Sequence, residues 1–140
     1  MKKVMVFGVF DGVHEGHRHF FREAKSLGDY LIAVLAQDHI VEHLKGHLPQ
    51  SDMAERFDHL RQEDGVNEVV IGDAELSTWE VVKQHKPDVI ALGYDQQALK
   101  EDLEKHLKDF GWPLELKVLS AYEPNIYHPS FLNDDEGEPE

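Results

Sequence analysis

The chain has 140 residues, 41% of them apolar, which suits a single globular domain with a core of its own. It contains no cysteine, so disulfides, thiolate metal sites and thiol nucleophiles are excluded, and its net charge of −14 argues against nonspecific binding to nucleic acid or anionic membranes, which needs clustered Lys and Arg. No apolar run reaches membrane-spanning length, and the stretch after Met1-Lys2-Lys3 is too short for a signal segment, so a cytoplasmic location is expected.

Val4–Phe10 (VMVFGVF) has the length and composition of a buried strand, and Arg18–Leu27 places Phe20, Phe21, Ala24 and Leu27 at helical spacing. Asp29–Ala36 (DYLIAVLA) is apolar throughout, as strands covered on both faces tend to be. A helix is predicted over Gln37–Leu44, broken by Lys45-Gly46-His47-Leu48-Pro49. Ser51 or Asp52 can cap the next helix, Met53–Gln62, with Glu55 placed for a capping box. Then follow a strand at Val66–Ile71, a short helix at Thr78–His85 ended by Pro87, a strand at Asp88–Leu92, a helix at Gln97–Phe110 and a strand at Leu114–Leu119. Strands alternating with helices imply right-handed crossovers and a doubly wound, five-stranded parallel α/β sheet, Rossmann-like, with ligands held beyond the carboxyl ends of the strands. The expected domain is 1–121. Residues 122–140 are expected to be irregular, because Pro124 and Pro129 oppose a long helix and Asp134–Glu140 forms an acidic tail with a disordered composition.

The chemistry concentrates in Gly8-Val9-Phe10-Asp11-Gly12-Val13-His14-Glu15-Gly16-His17, between the first strand and the first helix. The first backbone N–H groups of a helix lack partners within it and favour anions, so a phosphate fits there. Gly12 and Gly16 allow close approach, and His14 and His17 can donate to phosphoryl oxygens as charge builds on them.

His14-Glu15-Gly16-His17 behind Phe10-Asp11-Gly12 resembles the HxGH motif of the cytidylyltransferase-like nucleotidyltransferases. That group holds glycerol-phosphate cytidylyltransferases, archaeal-type FAD synthases and phosphopantetheine adenylyltransferases. The resemblance implies transfer of a nucleotidyl group from CTP or ATP to a small phosphorylated acceptor with release of pyrophosphate. His14, His17 and Lys45 would be catalytic, Lys45 holding the β and γ phosphates. Val9, Phe10, Asp11 and Gly16 would line the nucleotide, together with Arg56, which matches an ER pair in the family's following helix. Gly93, Tyr94 and Asp95 join them through Leu92-Gly93-Tyr94-Asp95-Gln96, similar to the LGxDQ segment of archaeal-type FAD synthases. Mg²⁺ is expected, bound mainly through phosphates, with Asp11 either touching it or capping backbone. A homodimer is a further expectation from the resemblance.

The far end departs from the family pattern. Its members usually carry a Ser/Thr-rich helix start written ISSTxIR after the fifth strand; here Tyr122–Phe131 has one Ser, no Thr and no Lys or Arg. The alternative is therefore a non-catalytic nucleotide-binding relative that lost this phosphate wall, with His128 as a candidate substitute for the hydroxyls. A second rival is zinc, because His39-Ile40-Val41-Glu42-His43 matches HxxEH, although no third ligand stands out. His19, His59, His85 and His106 read as surface residues, and Trp79 and Trp112 as packing residues. The LGYDQ turn leans toward ATP and FMN, while chain size suits CTP and glycerol phosphate equally well.

Overall fold

The computed structural model describes residues 1–119, so the expectations for 122–140 lie outside the described residues. Five strands form one parallel sheet: β1 (Lys3–Gly8), β2 (Tyr30–Leu35), β3 (Glu68–Ile71), β4 (Val89–Leu92) and β5 (Glu115–Val118), in the order β3-β2-β1-β4-β5. Between them run α1 (Glu15–Lys25), α2 (Asp38–Lys45), α3 (Met53–Arg61), α4 (Glu80–His85) and α5 (Gln97–His106), the last followed by a 3-10 turn at Leu107–Asp109.

Alternation along the central strands divides the apolar residues between two cores. Val4, Val6, Leu31, Ala33, Leu35, Val89 and Ala91 pack with Phe21 and Ala24 of α1 and Leu60 of α3. Met5, Ile32, Val34, Ile90 and Leu92 pack on the opposite face with Val81 and Val82 of α4 and Leu103 of α5. Helices thus cover both faces, as apolar strands without polar alternation require. From β1 the chain winds outward through β2 to β3, then crosses back to β4 and out to β5. The winding reverses between β1 and β4, and such a reversal opens a crevice at the carboxyl ends of those two strands.

Several boundaries differ from the sequence expectation, each for a local reason. β1 ends at Gly8 rather than Phe10, because Phe10 turns into the left-handed region at φ 53°. Helix α1 begins at Glu15, three residues early, with His14 as its N-cap and His17 in its first turn, at the helix mouth where the sequence places them. Lys45 is the last residue of α2, and the chain turns after it at Gly46. β3 starts at Glu68, because Val66 N–H closes a turn onto the Glu63 carbonyl and the Asn67 side chain accepts from Leu31 N–H. α4 starts at Glu80, where the Asp73 carboxylate accepts from the N–H groups of Glu80 and Val81. The Asp52–Glu55 capping box on α3 is present as read. Among the described residues no helix is long and apolar enough to cross a membrane.

Candidate functional site

The two histidines cap α1 with each other. Gly16 N–H donates to His14 Nδ1 at 3.0 Å, and His14 N–H donates to His17 Nδ1 at 3.2 Å, a reciprocal capping box built from imidazoles. A backbone N–H can only donate, so both Nδ1 atoms are unprotonated acceptors and the ring protons sit on Nε2. The rings lie 4.1 Å apart at 39°, so the two Nε2–H groups belong to neighbouring rings at the start of the helix. Both rings are held neutral. Burial, the neighbouring His14 ring and the Arg18 charge pull His17 down to about 3, and partial burial with Arg18 lowers His14.

The residues around the pair explain its spacing. A Cβ at Gly16 would stand 2.8 Å from His14 Cε1, so only glycine lets that ring fold back over the helix start. Phe10 buttresses His17 from the core side, edge to face at 5.7 Å, and rests in turn on Phe21. That fold-back brings the Phe10 ring to 2.8 Å from where a Cβ at Gly8 would be, which explains the second glycine. Phe10 is thus a core residue holding a site residue, and it is 5% exposed. Arg18 is engaged by Glu63 and Glu15, whose hydrogen bonds raise its pKa further. A groove of about 430 Å³ runs along the α3 side of the turn, lined by Gly12, Val13, His59, Gln62 and Glu63.

The segment after α2 returns to this turn. Asp11 accepts from Gln50 N–H at 2.7 Å and Ser51 N–H at 3.1 Å, so its carboxylate serves backbone, the second of the two roles open to it. Arg56 corrects the sequence reading. Its side chain is fully buried, and its Nε, Nη1 and Nη2 donate to the Ser51 carbonyl, the Val9 carbonyl and the Asp38 carboxylate, so its nitrogens are engaged within the protein. Val9 accordingly meets Arg56 through its carbonyl. Lys45, by contrast, is exposed and makes no ion pair among the described residues.

Across the crevice, Gly93 N–H donates to Gln96 Oε1 at 2.8 Å and Gln96 Nε2 donates to the Phe7 carbonyl at 2.9 Å. Gln96 therefore ties the turn after β4 to the end of β1, with Tyr94 and Asp95 exposed on the turn. Gln96 and Asp38 are the residues that sequence reasoning passed over. The fixed distance of Gln96 from Gly93 was a signal for the first; nothing local marks Asp38. The zinc reading gains no support: His39 Nε2 lies 2.7 Å from the Ala74 carbonyl, and no group of three potential ligands occurs among the described residues. Trp79 and Trp112 pack in or against the core, as read, with their indole N–H groups on Asp102 and the Pro87 carbonyl.

Comparison with known proteins agrees with this geometry. The model of the cytidylyltransferase-like family matches residues 5–118. An FAD synthase from Thermococcus sibiricus is 48% identical over 107 residues, spanning 74% of this chain and 72% of the relative. An FAD synthase from Picrophilus torridus is 36% identical over 124 residues, 89% of this chain and 88% of the relative. The crystal structure of a lipopolysaccharide core biosynthesis protein from Thermoplasma volcanium superposes with a TM-score of 0.81 at 32% identity, covering 88% of this chain and 99% of that one. Pantoate-β-alanine ligase from Francisella tularensis shares the fold alone, with a TM-score of 0.61 at 14% identity over 87% of this chain and 60% of its own. A parallel sheet reversing between β1 and β4, a histidine pair at its carboxyl edge and a family match over most of the described residues make this chain a member of the cytidylyltransferase-like family, a nucleotidyltransferase.

Proposed function

We propose that the protein is an FMN adenylyltransferase, joining the AMP part of ATP to the phosphate of FMN to give FAD and pyrophosphate. The paired Nε2–H donors on α1, beside the crevice between β1 and β4, are the observation that carries the transfer chemistry. The substrates follow from relatives named FAD synthase at 36% to 48% identity and from the Leu92–Gln96 turn. These relatives also favour an active enzyme over the non-catalytic alternative.

An FMN phosphate oxygen attacks the α phosphorus of ATP, the bond to the bridging α,β oxygen breaks, and pyrophosphate leaves. In-line transfer of this kind needs positioning and charge stabilisation more than covalent help. His14 and His17 donate through Nε2 to oxygens on which charge develops, without taking or giving a proton. Their Nδ1 contacts fix ring orientation before substrate arrives, so little reorganisation remains for the reaction itself. Lys45 meets the β and γ phosphates, while the backbone of the Val9–Gly12 turn and the Gly93–Asp95 turn flanks the nucleotide. Asp11, the nearest acid, accepts from the Gln50 and Ser51 N–H groups, and Mg²⁺ would be held mainly through the triphosphate, as that ion prefers. Its contribution is to neutralise phosphate charge.

The test supplies purified protein with Mg²⁺ and either ATP plus FMN or CTP plus glycerol phosphate, and follows FAD by chromatography and pyrophosphate by a coupled assay. FAD with stoichiometric pyrophosphate is the expected result. Product from the CTP pair alone would transfer the reading to cytidylyl chemistry.

A further inference from the structure

Arg56 is the one charged side chain buried completely among the described residues, and it lies on the crossover helix behind the site rather than in it. A buried guanidinium is costly unless paired and hydrogen-bonded, and here its acceptors come from three separate segments. Val9 belongs to the turn before α1, Asp38 is the first residue of α2, and Ser51 ends the loop between α2 and α3. Asp11 closes the loop from the other side by accepting from Gln50 and Ser51 N–H. Ser51 is thus held by its carbonyl to Arg56 and by its N–H to the histidine turn.

Helix α2 needs such a hold. It buries only Val41, so apolar packing fixes its orientation weakly, and polar contacts of its first turn must do the rest. Asp38 supplies them, pairing with Arg56 and accepting from Met53 N–H, while His39 rests on the Ala74 carbonyl. Lys45 stands seven residues after Asp38, two helical turns along roughly the same face. We propose that Arg56 is a positioning residue: through Asp38, Ser51 and Val9 it registers the Lys45-bearing α2 and its loop onto the histidine turn, so that one triphosphate meets Lys45 and both imidazoles. The inference rests on the reading of Lys45 as a phosphate contact. Lysine at position 56 keeps the charge but has no planar fork to span three acceptors.

A double-mutant cycle on nucleotide binding tests this, read by calorimetry with whichever of MgATP and MgCTP the wild-type chain binds. Arg56→Lys and Lys45→Ala are each expected to weaken binding about tenfold, and the double variant to be no weaker than the worse single one within about twofold, because both remove the same contact. Should Arg56→Lys fail to melt cooperatively, Asp38→Asn replaces it in the cycle. Full additivity, with a loss near a hundredfold, would overturn the inference while leaving the Lys45 reading intact. Unchanged binding in Lys45→Ala would overturn both, and a wild-type chain that binds neither nucleotide would overturn the proposed function with them.

Discussion

Replacing Gly16 with alanine separates the stability of α1 from the service of its cap. On helix propensity alone, Gly16→Ala gains up to about 1 kcal/mol. The new Cβ, however, would lie 2.8 Å from His14 Cε1 and 3.1 Å from His14 Nδ1, where carbon contacts prefer about 3.5 Å or more. The imidazole must therefore withdraw by about 0.7 Å, which stretches its bond from Gly16 N–H beyond the range of a hydrogen bond. Losing that cap costs about 1 kcal/mol. The two effects offset, so the melting temperature should move by no more than about 4 °C. Activity should not be spared, because a donor displaced by nearly 1 Å at a reacting phosphate costs on the order of a hundredfold. Differential scanning fluorimetry and pyrophosphate release from the same preparation check both halves. A variant that keeps activity within about threefold would refute the cap as the device that aims His14; a collapse in stability would refute the supposed give of the ring.

Two further outcomes follow from the same geometry. Both histidines have folded-state pKa values below 6.5, so the unfolded chain binds more protons than the native one as pH falls below 6.5. Their contribution to stability is therefore complete above 6.5 and drains away between 6.5 and about 3; the urea midpoint should fall over that window less steeply in His17→Gln than in the wild type. Gln96→Ala strips partners from Gly93 N–H and the Phe7 carbonyl, both partly buried, and should cost roughly 1 to 3 kcal/mol in urea unfolding together with weaker nucleotide binding. Gln96→Glu keeps an acceptor for Gly93 but sets a charge against the Phe7 carbonyl, so it should not rescue either loss.

What the sequence carried legibly was whatever local periodicity encodes. Leu31–Leu35 reads as a strand covered on both faces because every residue in it is apolar, and every one is buried. The His14–His17 string reads as a helix mouth because it follows a strand and precedes helical spacing. The misreadings share a different physics, in which a side chain distant in sequence decides. Asp73 caps α4 from seven residues before Glu80, so the helix starts two residues later than local spacing predicts. Arg56 and Asp38 are eighteen residues apart, and only the folded chain shows that the arginine is spent on that carboxylate and two carbonyls rather than left for a phosphate. Phe10 failed in the opposite sense. Its apolar character extended the strand on paper, whereas a left-handed turn over Gly8 tucks its ring beneath His17.

A chain with a net charge of −14 poses a difficulty for binding a triphosphate, and the proposed site meets it without collecting cations. Arg18 is held by Glu63 and Glu15, and Arg56 by Asp38, so two arginines close to the histidine turn are already neutralised. Nor can the imidazoles supply charge easily: protonating Nδ1 of either ring removes the acceptor that caps α1, so charging the site and ordering it are in conflict. Neutral donors in fixed orientation resolve that conflict. In the proposed mechanism two Nε2–H groups and the dipole of α1 would favour charge as it grows on the α phosphate, where field and geometry matter more than net charge. Under the proposed function, the ground-state charge of the triphosphate would fall to Lys45 and to the Mg²⁺ that accompanies the nucleotide. Binding and chemistry are thereby assigned to different groups, and the acidic surface is compatible with both.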